Sequence, residues 1–479
     1  MAEQQINPNF LGEEPLGAPT IRPPHSKLSA GEWLKTNLFN SRLNSIITVV
    51  VGALLFWCGY LFVRWIIDID FTIIRDTLRV FMIGSFPDDE LWRLWGQAYL
   101  LVLAIGFGSG AHARRNHDQA LLQGVASDEQ SLWSLARRYW PIIAVLVFFA
   151  SFAKTFSPML LVITSVLLAV ATRWLGWVAP AALRLRAGFI AAAAVIASML
   201  VVAGTSKFGG VVVGLLLFAW AATELRRGDP ATSRAQQAVR WLVPLAVGIV
   251  AYLVIAAIGF EGFGWKDWGG FHVSVFTAVA GIAIGLPGGV LLALGRRSDL
   301  PVVKTASVIF IEFVRGVPLI SLLIFSIVFL PLFLPPAWET PTQLTLAIVV
   351  IGGFSAAYIA EIVRGGLQAV AKGQTEAAQA LGLSPGAMQR LIVLPQALRA
   401  VIPAMVGQFI SLFKDTSLLF AAGVLEFLGA STIANNQPQF LGKGLAPVTL
   451  LFVAIGYWAF SYTMSRESRL LERRLDTGR

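Results

Sequence analysis

Cysteine is almost absent from this 479-residue chain: Cys58 stands alone, so no intrachain disulfide can form. Because it lies in an apolar run, the expectation for that thiol is an inert, buried group. Histidine is scarce as well. Four scattered histidines do not make the clustered His, Asp and Glu set that a membrane enzyme needs, and no metal site is expected. Charge is thin: 13% of residues are Asp, Glu, Lys or Arg, against roughly 25% in a soluble domain. No Gly-x4-Gly-Lys-Ser/Thr loop occurs, so nothing here can cradle ATP phosphates and no cofactor is expected.

What is present is apolar surface. Hydrophobic residues make up 56% of the chain, and runs of the roughly 17–25 residues needed to cross a bilayer recur along it. Only helices satisfy their own backbone in lipid at that length, so the fold class is an all-α polytopic membrane protein. Spans are expected near 46–67, 94–111, 140–154, 157–173, 187–204, 208–225 and 241–261, then near 271–295, 303–334, 342–368, 400–425 and 446–465. The pair around Lys154 and Pro158 reads equally as one kinked helix or a re-entrant turn. Residues 1–43 are polar and proline-punctuated, a cytoplasmic tail without a cleavable signal peptide. Residues 44–265 form an N-terminal membrane extension of about seven helices, and 266–479 a second region.

The net charge of +10 could suggest nucleic acid, but Lys and Arg fall in loops at helix ends, which is a topology signal. With the tail inside, Asp68, Asp70, Asp88, Asp89 and Glu90 fall outside. Arg114, Arg115, Arg137, Arg138, Arg173, Arg184, Arg186, Arg226, Arg227, Arg234 and Arg240 fall inside. Arg296, Arg297, Lys304, Lys372, Arg390 and the arginine-rich end 466–479 are inside too, so about twelve helices with both termini cytoplasmic satisfy the rule. Trp92, Trp95, Trp140, Trp177, Trp265 and Trp268 sit at helix ends as interfacial aromatics, and His272 reads as interfacial. Ionisable residues in apolar surroundings are costly and usually face a bundle interior or a water-filled path. They concentrate in the second region: Glu312, Arg315, Glu361, Lys414 and Asp415.

One polar, basic interruption between two apolar stretches has a definite shape. After Glu376-Ala377-Ala378-Gln379-Ala380-Leu381, Gly382 can take the left-handed conformation that closes a helix. Ser384-Pro385 then supplies an N-cap oxygen and a first-turn proline. Pro395, after Ile392-Val393-Leu394, is expected to break the second helix. A bare hairpin of this kind could lie on the membrane surface, and Glu376 alone could be a solvated carboxylate.

The spacing of this hairpin, 372–398, resembles the EAA loop of ABC-importer permeases. Residues 266–479 resemble the type I, five-helix permease core of polar amino-acid importers, the histidine/glutamine-type branch. The likeness rests on ordered strings: Trp268–Phe271, Ala293–Ser298, Phe310–Leu319, Ala357–Gly366, Leu394–Arg399 and Phe413–Leu418. Trp33–Phe39 with Asn44 is similar to the larger permease subunit of general L-amino-acid importers, which carries about three helices before its core rather than seven. The additional helices are lipid-facing packing or a regulatory part.

The resemblance implies a bacterial inner-membrane permease that does not itself hydrolyse ATP, which is bound by a partner ATPase dimer. A periplasmic binding protein delivers the L-amino acid, and a second permease subunit completes the channel, either a distinct sister chain or a second copy. The ATPase-coupling residues it implies are Glu376, Ala377, Ala378, Gly382, Leu394 and Pro395, with Glu376 pairing to the ATPase and Gly382 as hinge. Candidate pathway residues for a zwitterion are Glu312, Arg315, Glu361, Lys414, Asp415 and Thr416. Lys414-Asp415, partway along the fourth core helix, reads first as a common architectural or gating element, because the Lys-Asp-Thr-Ser string recurs across substrates in the resembled family, with the pathway role as its alternative. A twelve-helix secondary transporter predicts two related halves, and no counterpart of the hairpin string occurs in 1–265.

Overall fold

A computed structural model describes residues 29–122, 124, 132–187, 190, 268–335 and 341–476, with scattered positions between 242 and 253. Among the described residues every regular element is helical. The chain divides into two compact units, Met1–Asp70 and Phe71–Arg479.

The first unit holds α1 (Ala30–Asn37) and α2 (Arg42–Ile67). Ser29 and Glu32 close a reciprocal capping box at the start of α1, with Glu32 N–H donating to Ser29 Oγ at 3.3 Å and Ser29 N–H to Glu32 Oε2 at 3.0 Å. At 26 residues α2 is about 39 Å long and apolar on every side, the mark of a helix solvated by lipid. Cys58 is exposed on it, contrary to the buried thiol expected from its apolar neighbours, because α2 has no packed face in which to hide it.

The second unit begins with α3 (Thr72–Ile83), α4 (Leu91–Leu122), α5 (Leu132–Ser151), α6 (Ser157–Val178) and α7 (Ala181–Leu185). α5 and α6 are separate helices joined by a short break rather than one kinked helix, and at the break the Lys154 ammonium pairs with Asp76 of α3 at 2.8 Å. α4 and α6 pack backbone to backbone through Gly106, Gly110 and Gly176. A Cβ at Gly110 would lie 2.0 Å from the Arg173 carbonyl, and one at Gly176 would lie 2.2 Å from that of Phe107. This is the small-xxx-small seam of membrane helices, where close packing replaces the hydrophobic drive that lipid removes.

The remainder comprises α8 (Gly270–Arg296), α9 (Pro301–Gly316), α10 (Leu319–Ile324) with a π-turn and a 3-10 turn to Phe333, α11 (Gln343–Ala369), α12 (Lys372–Ala380), α13 (Pro385–Met388), α14 (Leu394–Asp415), α15 (Phe427–Asn435) and α16 (Ala446–Asp476). α8 and α11 are the central pair. Gly281, Gly285 and Gly289, spaced by four, let Ile351, Ser355 and Ile359 nest against the α8 backbone. α3 and α5 dock on this core through a stack of aromatic rings: Phe81–Phe452 at 5.2 Å, Phe149–Phe452 at 4.9 Å and Phe271–Phe427 at 5.1 Å between centroids. At the joint, Gly84 (φ 66°) and Gly269 cross so closely that a Cβ on Gly84 would lie 2.5 Å from the Gly269 Cα. Both the positive φ and the approach exclude any side chain there.

Seven of the twelve expected spans are helices long and apolar enough to cross a membrane, and the 139–151 segment is a shorter apolar helix. The spans expected at 187–204, 208–225 and 241–261 lie outside the described residues. The single helix expected over 303–334 is instead broken, with α9 and Leu319–Phe333 meeting at 106°. Pro318 is the cause: it cannot donate to the preceding turn, and it drives Val317 into extended backbone (φ −104°, ψ 135°). Trp268 is buried rather than interfacial and stacks on His272 at 4.8 Å. His272 itself faces inward, with Nε2 2.7 Å from Gln97 Oε1.

Candidate functional site

The hairpin forms as its local chemistry dictates. Gly382 adopts φ 71°, its N–H donates to Gln379 O at 2.9 Å, and Leu383 N–H reaches back to Ala378 O at 3.1 Å. This pair of bonds is the Schellman closure of α12. Ser384 Oγ then accepts from Ala387 N–H at 3.4 Å and Pro385 opens α13. Ala378 is buried, packing with Met388, Val393 and Ala397 against Ile359, Val363 and Leu367 of α11. Of the alanines, Ala378 therefore anchors the hairpin on its own core, while Glu376, Ala377 and Ala380 face outward. Leu381 beside them is 81% exposed, a large apolar side chain on a polar turn.

Pro395 does not end the helix. The chain runs on from α13 through a π-turn at Gln389–Val393 into α14, with Leu394 N–H donating to Gln389 O, and forms one continuous apolar rod over Pro385–Ala422. A proline in a regular α-helix clashes with the carbonyl four residues back, here that of Leu391. The wider π-turn immediately ahead of Pro395 absorbs the clash and the missing donor. Leu394 is half-buried at this junction and Pro395 is exposed.

Three of the candidate pathway residues come together. Glu361 of α11 receives Arg364 Nε at 2.8 Å, Arg296 of α8 at 3.5 Å and Arg315 of α9 at 3.7 Å. Arg296 also holds Glu312 at 3.0 Å, and the Arg315 guanidinium sits 5.6 Å above the Tyr358 ring. Three arginines and two glutamates thus tie α8, α9 and α11 together beside the apolar cluster on which the hairpin rests. Arg296 had read as a topology signal and part of a motif string, and Arg364 as part of another string. Their spacing to Glu361 across three helices is not visible in one dimension.

Lys414, Asp415 and Thr416 lie elsewhere. They sit partway along the rod Pro385–Ala422, as expected, at the point where α14 tightens into a 3-10 turn over Thr416–Ala422. Lys414 is exposed and Asp415 half-buried, whereas Thr416 is buried. The Thr416 hydroxyl meets Tyr457 Oη at 3.3 Å, and Tyr457 donates to Glu426 Oε2 at 3.0 Å. Glu426, fully buried, caps α15 by accepting Leu428 N–H at 2.7 Å and Gly429 N–H at 2.6 Å, with Ser274 Oγ at 3.5 Å. A buried carboxylate is tolerated only when its lone pairs are filled, and here four donors converge on it. Glu426 was a missed site. Its signal was an acidic residue inside the apolar string Val424–Leu428, immediately ahead of a helix whose N-terminus favours negative charge.

Residues 285–477 match the family described as "Binding-protein-dependent transport system inner membrane component". The chain is 31% identical over 488 residues to the glutamate/glutamine/aspartate/asparagine transport system permease protein BztC of Rhodobacter capsulatus, covering 94% of this chain and 95% of that one. It is 45% identical over 248 residues to the inner membrane amino-acid ABC transporter permease protein YhdY of Escherichia coli, covering 51% of this chain and 66% of that protein. Among solved structures, an amino acid ABC transporter crystallised with histidines aligns over 43% of this chain and 91% of its own at 27% identity, with a TM-score of 0.38. The family match opens within α8 and runs through the hairpin to the end of α16, and the BztC alignment takes in the extension as well. This multi-pass chain belongs to the membrane-embedded permease subunits of amino-acid ABC importers.

Proposed function

We propose that this permease takes its drive at residues 372–398, where an ATPase subunit seats against Glu376, Ala377 and Leu381, and that it admits L-amino acids handed over by a periplasmic binding protein. The observation that carries this reading is the two-faced hairpin: Ala378 is locked into the permease's own core, while Glu376 and Leu381 point away from it. A bare leucine flanked by a carboxylate has the make-up of a buried apolar contact with a polar rim. Lys414 and Asp415, partly exposed at the end of α14 and unpaired with the Glu361 cluster, suit the ammonium and carboxylate of a zwitterion. Glu312 and Glu361 are shared among Arg296, Arg315 and Arg364 across three helices, so their role is to brace those helices beside the hairpin.

The functional division follows the chemistry: 266–479 is the importing core, 44–265 the extension, and both termini are cytoplasmic, as the arginine-rich loops support. One chain carries one hairpin and an ATPase dimer offers two clefts, so a second permease is required. BztC and BztB of R. capsulatus are both named permease proteins of one transport system, and BztB aligns with this chain at 40% identity over 121 residues. That supports a distinct sister chain as the partner.

The test is uptake by the assembled complex. Glu376→Lys inverts the outward charge and is expected to abolish uptake and substrate-stimulated ATP hydrolysis while the protein still inserts in the membrane. Wild-type uptake in that variant refutes the assignment of coupling to this turn. Two identical copies of this chain in the purified complex, with no second permease, refute the pairing.

A further inference from the structure

Between α3, α4, the α5–α6 break and the start of α8 lies a cavity of about 650 Å³ that the transport reading does not use. Its walls are apolar: Leu78, Met82, Leu101, Leu161, Val275 and Val279. A zwitterionic amino acid loses its hydration in such a place without gaining partners, so it is no transport site. The depth is set by the helices. α4 begins at Leu91 and α8 at Gly270, while wall residues reach Leu101 and Val279, nine or ten residues further on. At a rise of about 1.5 Å per residue, that is roughly 14–15 Å below the helix ends. Half of the roughly 30 Å hydrocarbon core is the same distance, the reach of one leaflet's acyl chain.

The rim is charged. Arg79 pairs with Asp88 at 2.8 Å and Lys154 with Asp76 at 2.8 Å, and all four side chains are solvent-accessible. Arg75 also lines the cavity, and among the described residues its guanidinium has no ion pair or hydrogen bond. The mouth thus presents two neutralised pairs and one uncompensated arginine directly above an apolar shaft one leaflet deep. That order of groups is the order in a membrane lipid: phosphate, then acyl chain.

We propose that this cavity holds one glycerophospholipid from the leaflet at whose surface α4 and α8 begin, with an acyl chain between α4 and α8 and the phosphate on Arg75. The lipid fills the wedge between the extension and the first core helix, so the extension docks partly through it.

The test uses the complete complex, purified in detergent and incubated with phosphatidylglycerol carrying a photoactivatable diazirine mid-chain. A second arm uses the same labelled acyl chain as a free fatty acid. After removal of excess lipid and irradiation, cross-linked peptides around Leu101 and Val279 are expected, at about one label per chain. Ala98→Trp, placed in the cavity wall, should abolish that labelling while leaving label on the outward-facing Ile105 and Leu167 unchanged. Arg75→Gln lies at the rim and leaves the packing intact. It should lower phospholipid retention roughly tenfold, the scale of one charge-assisted hydrogen bond, without altering fatty-acid retention. Labelling confined to Ile105 and Leu167 in the wild type overturns the proposal, as does cavity labelling that Ala98→Trp leaves unchanged. Equal retention of phospholipid by wild type and Arg75→Gln overturns it too.

Discussion

Replacing Gly382 isolates backbone conformation from every other property of the proposed coupling turn. Its φ of 71° is a left-handed conformation, and beyond its chain neighbours no atom of the described residues lies within 4 Å of where a Cβ would sit. A side chain here therefore meets no steric obstacle within the chain, only the intrinsic cost of the conformation, roughly 1–2 kcal/mol for most residues. A change of that size moves a two-state equilibrium by a factor of roughly 5–30, so Gly382→Ala should lower the ratio of closed to open hairpins by that factor. Gly382→Val adds β-branching and should fall further. Asparagine is larger than alanine yet visits the left-handed region readily, so Gly382→Asn should retain more function than Gly382→Ala. The expected order of uptake rates, normalised to protein inserted, is Gly, then Asn, then Ala, then Val. If the order instead follows side-chain size, with Ala ahead of Asn, the conformational argument fails and contact with the ATPase surface governs the position.

Other consequences can be measured independently. A Cβ on Gly285 would lie 2.4 Å from Ser355 Oγ and 2.6 Å from Ser355 Cβ, so Gly285→Ala should cost about 1–3 kcal/mol by overpacking. Adding Ser355→Gly should recover most of it in a thermal melt, and strict additivity of the two changes would falsify the contact. Glu426→Ala strips four donors of their acceptor and removes a helix cap, so a melting-temperature drop larger than that of Glu426→Gln is expected; equal melts refute the capping role.

How legible the molecule was depends on the range of the interactions concerned. The turn at Leu381–Pro385 could be read because it is governed by neighbours: a glycine that tolerates positive φ, a serine that caps and a proline that starts a helix. Pro395 was misread although the rule behind the reading is sound, because a π-turn five residues long absorbs the proline and nothing in Gln389–Val393 announces one. At Val317-Pro318 the break was signalled, but a continuous apolar run outweighed the single proline. The ionisable residues could be singled out, yet their partners could not. Glu361 finds Arg296 and Arg315 from two other helices, and Thr416 finds Tyr457 41 residues away. The Gly106–Gly110 seam passed unnoticed because its meaning lies in Thr172 and Arg173 across the contact.

The unbroken rod from Pro385 to Ala422 gives the molecule a mechanical character. Its 38 residues span about 57 Å, with the coupling turn at one end and Thr416 near the other. A helix resists axial compression, so displacement of the turn arrives at the far end as translation rather than being dissipated in a loop. The π-turn at Gln389–Val393 and Pro403 inside α14 both interrupt the regular hydrogen-bond ladder, so they are where the strut flexes first. On the coupling proposed above, the rod is stiff along the direction of drive, and the first of its soft points, the π-turn, sits next to the input.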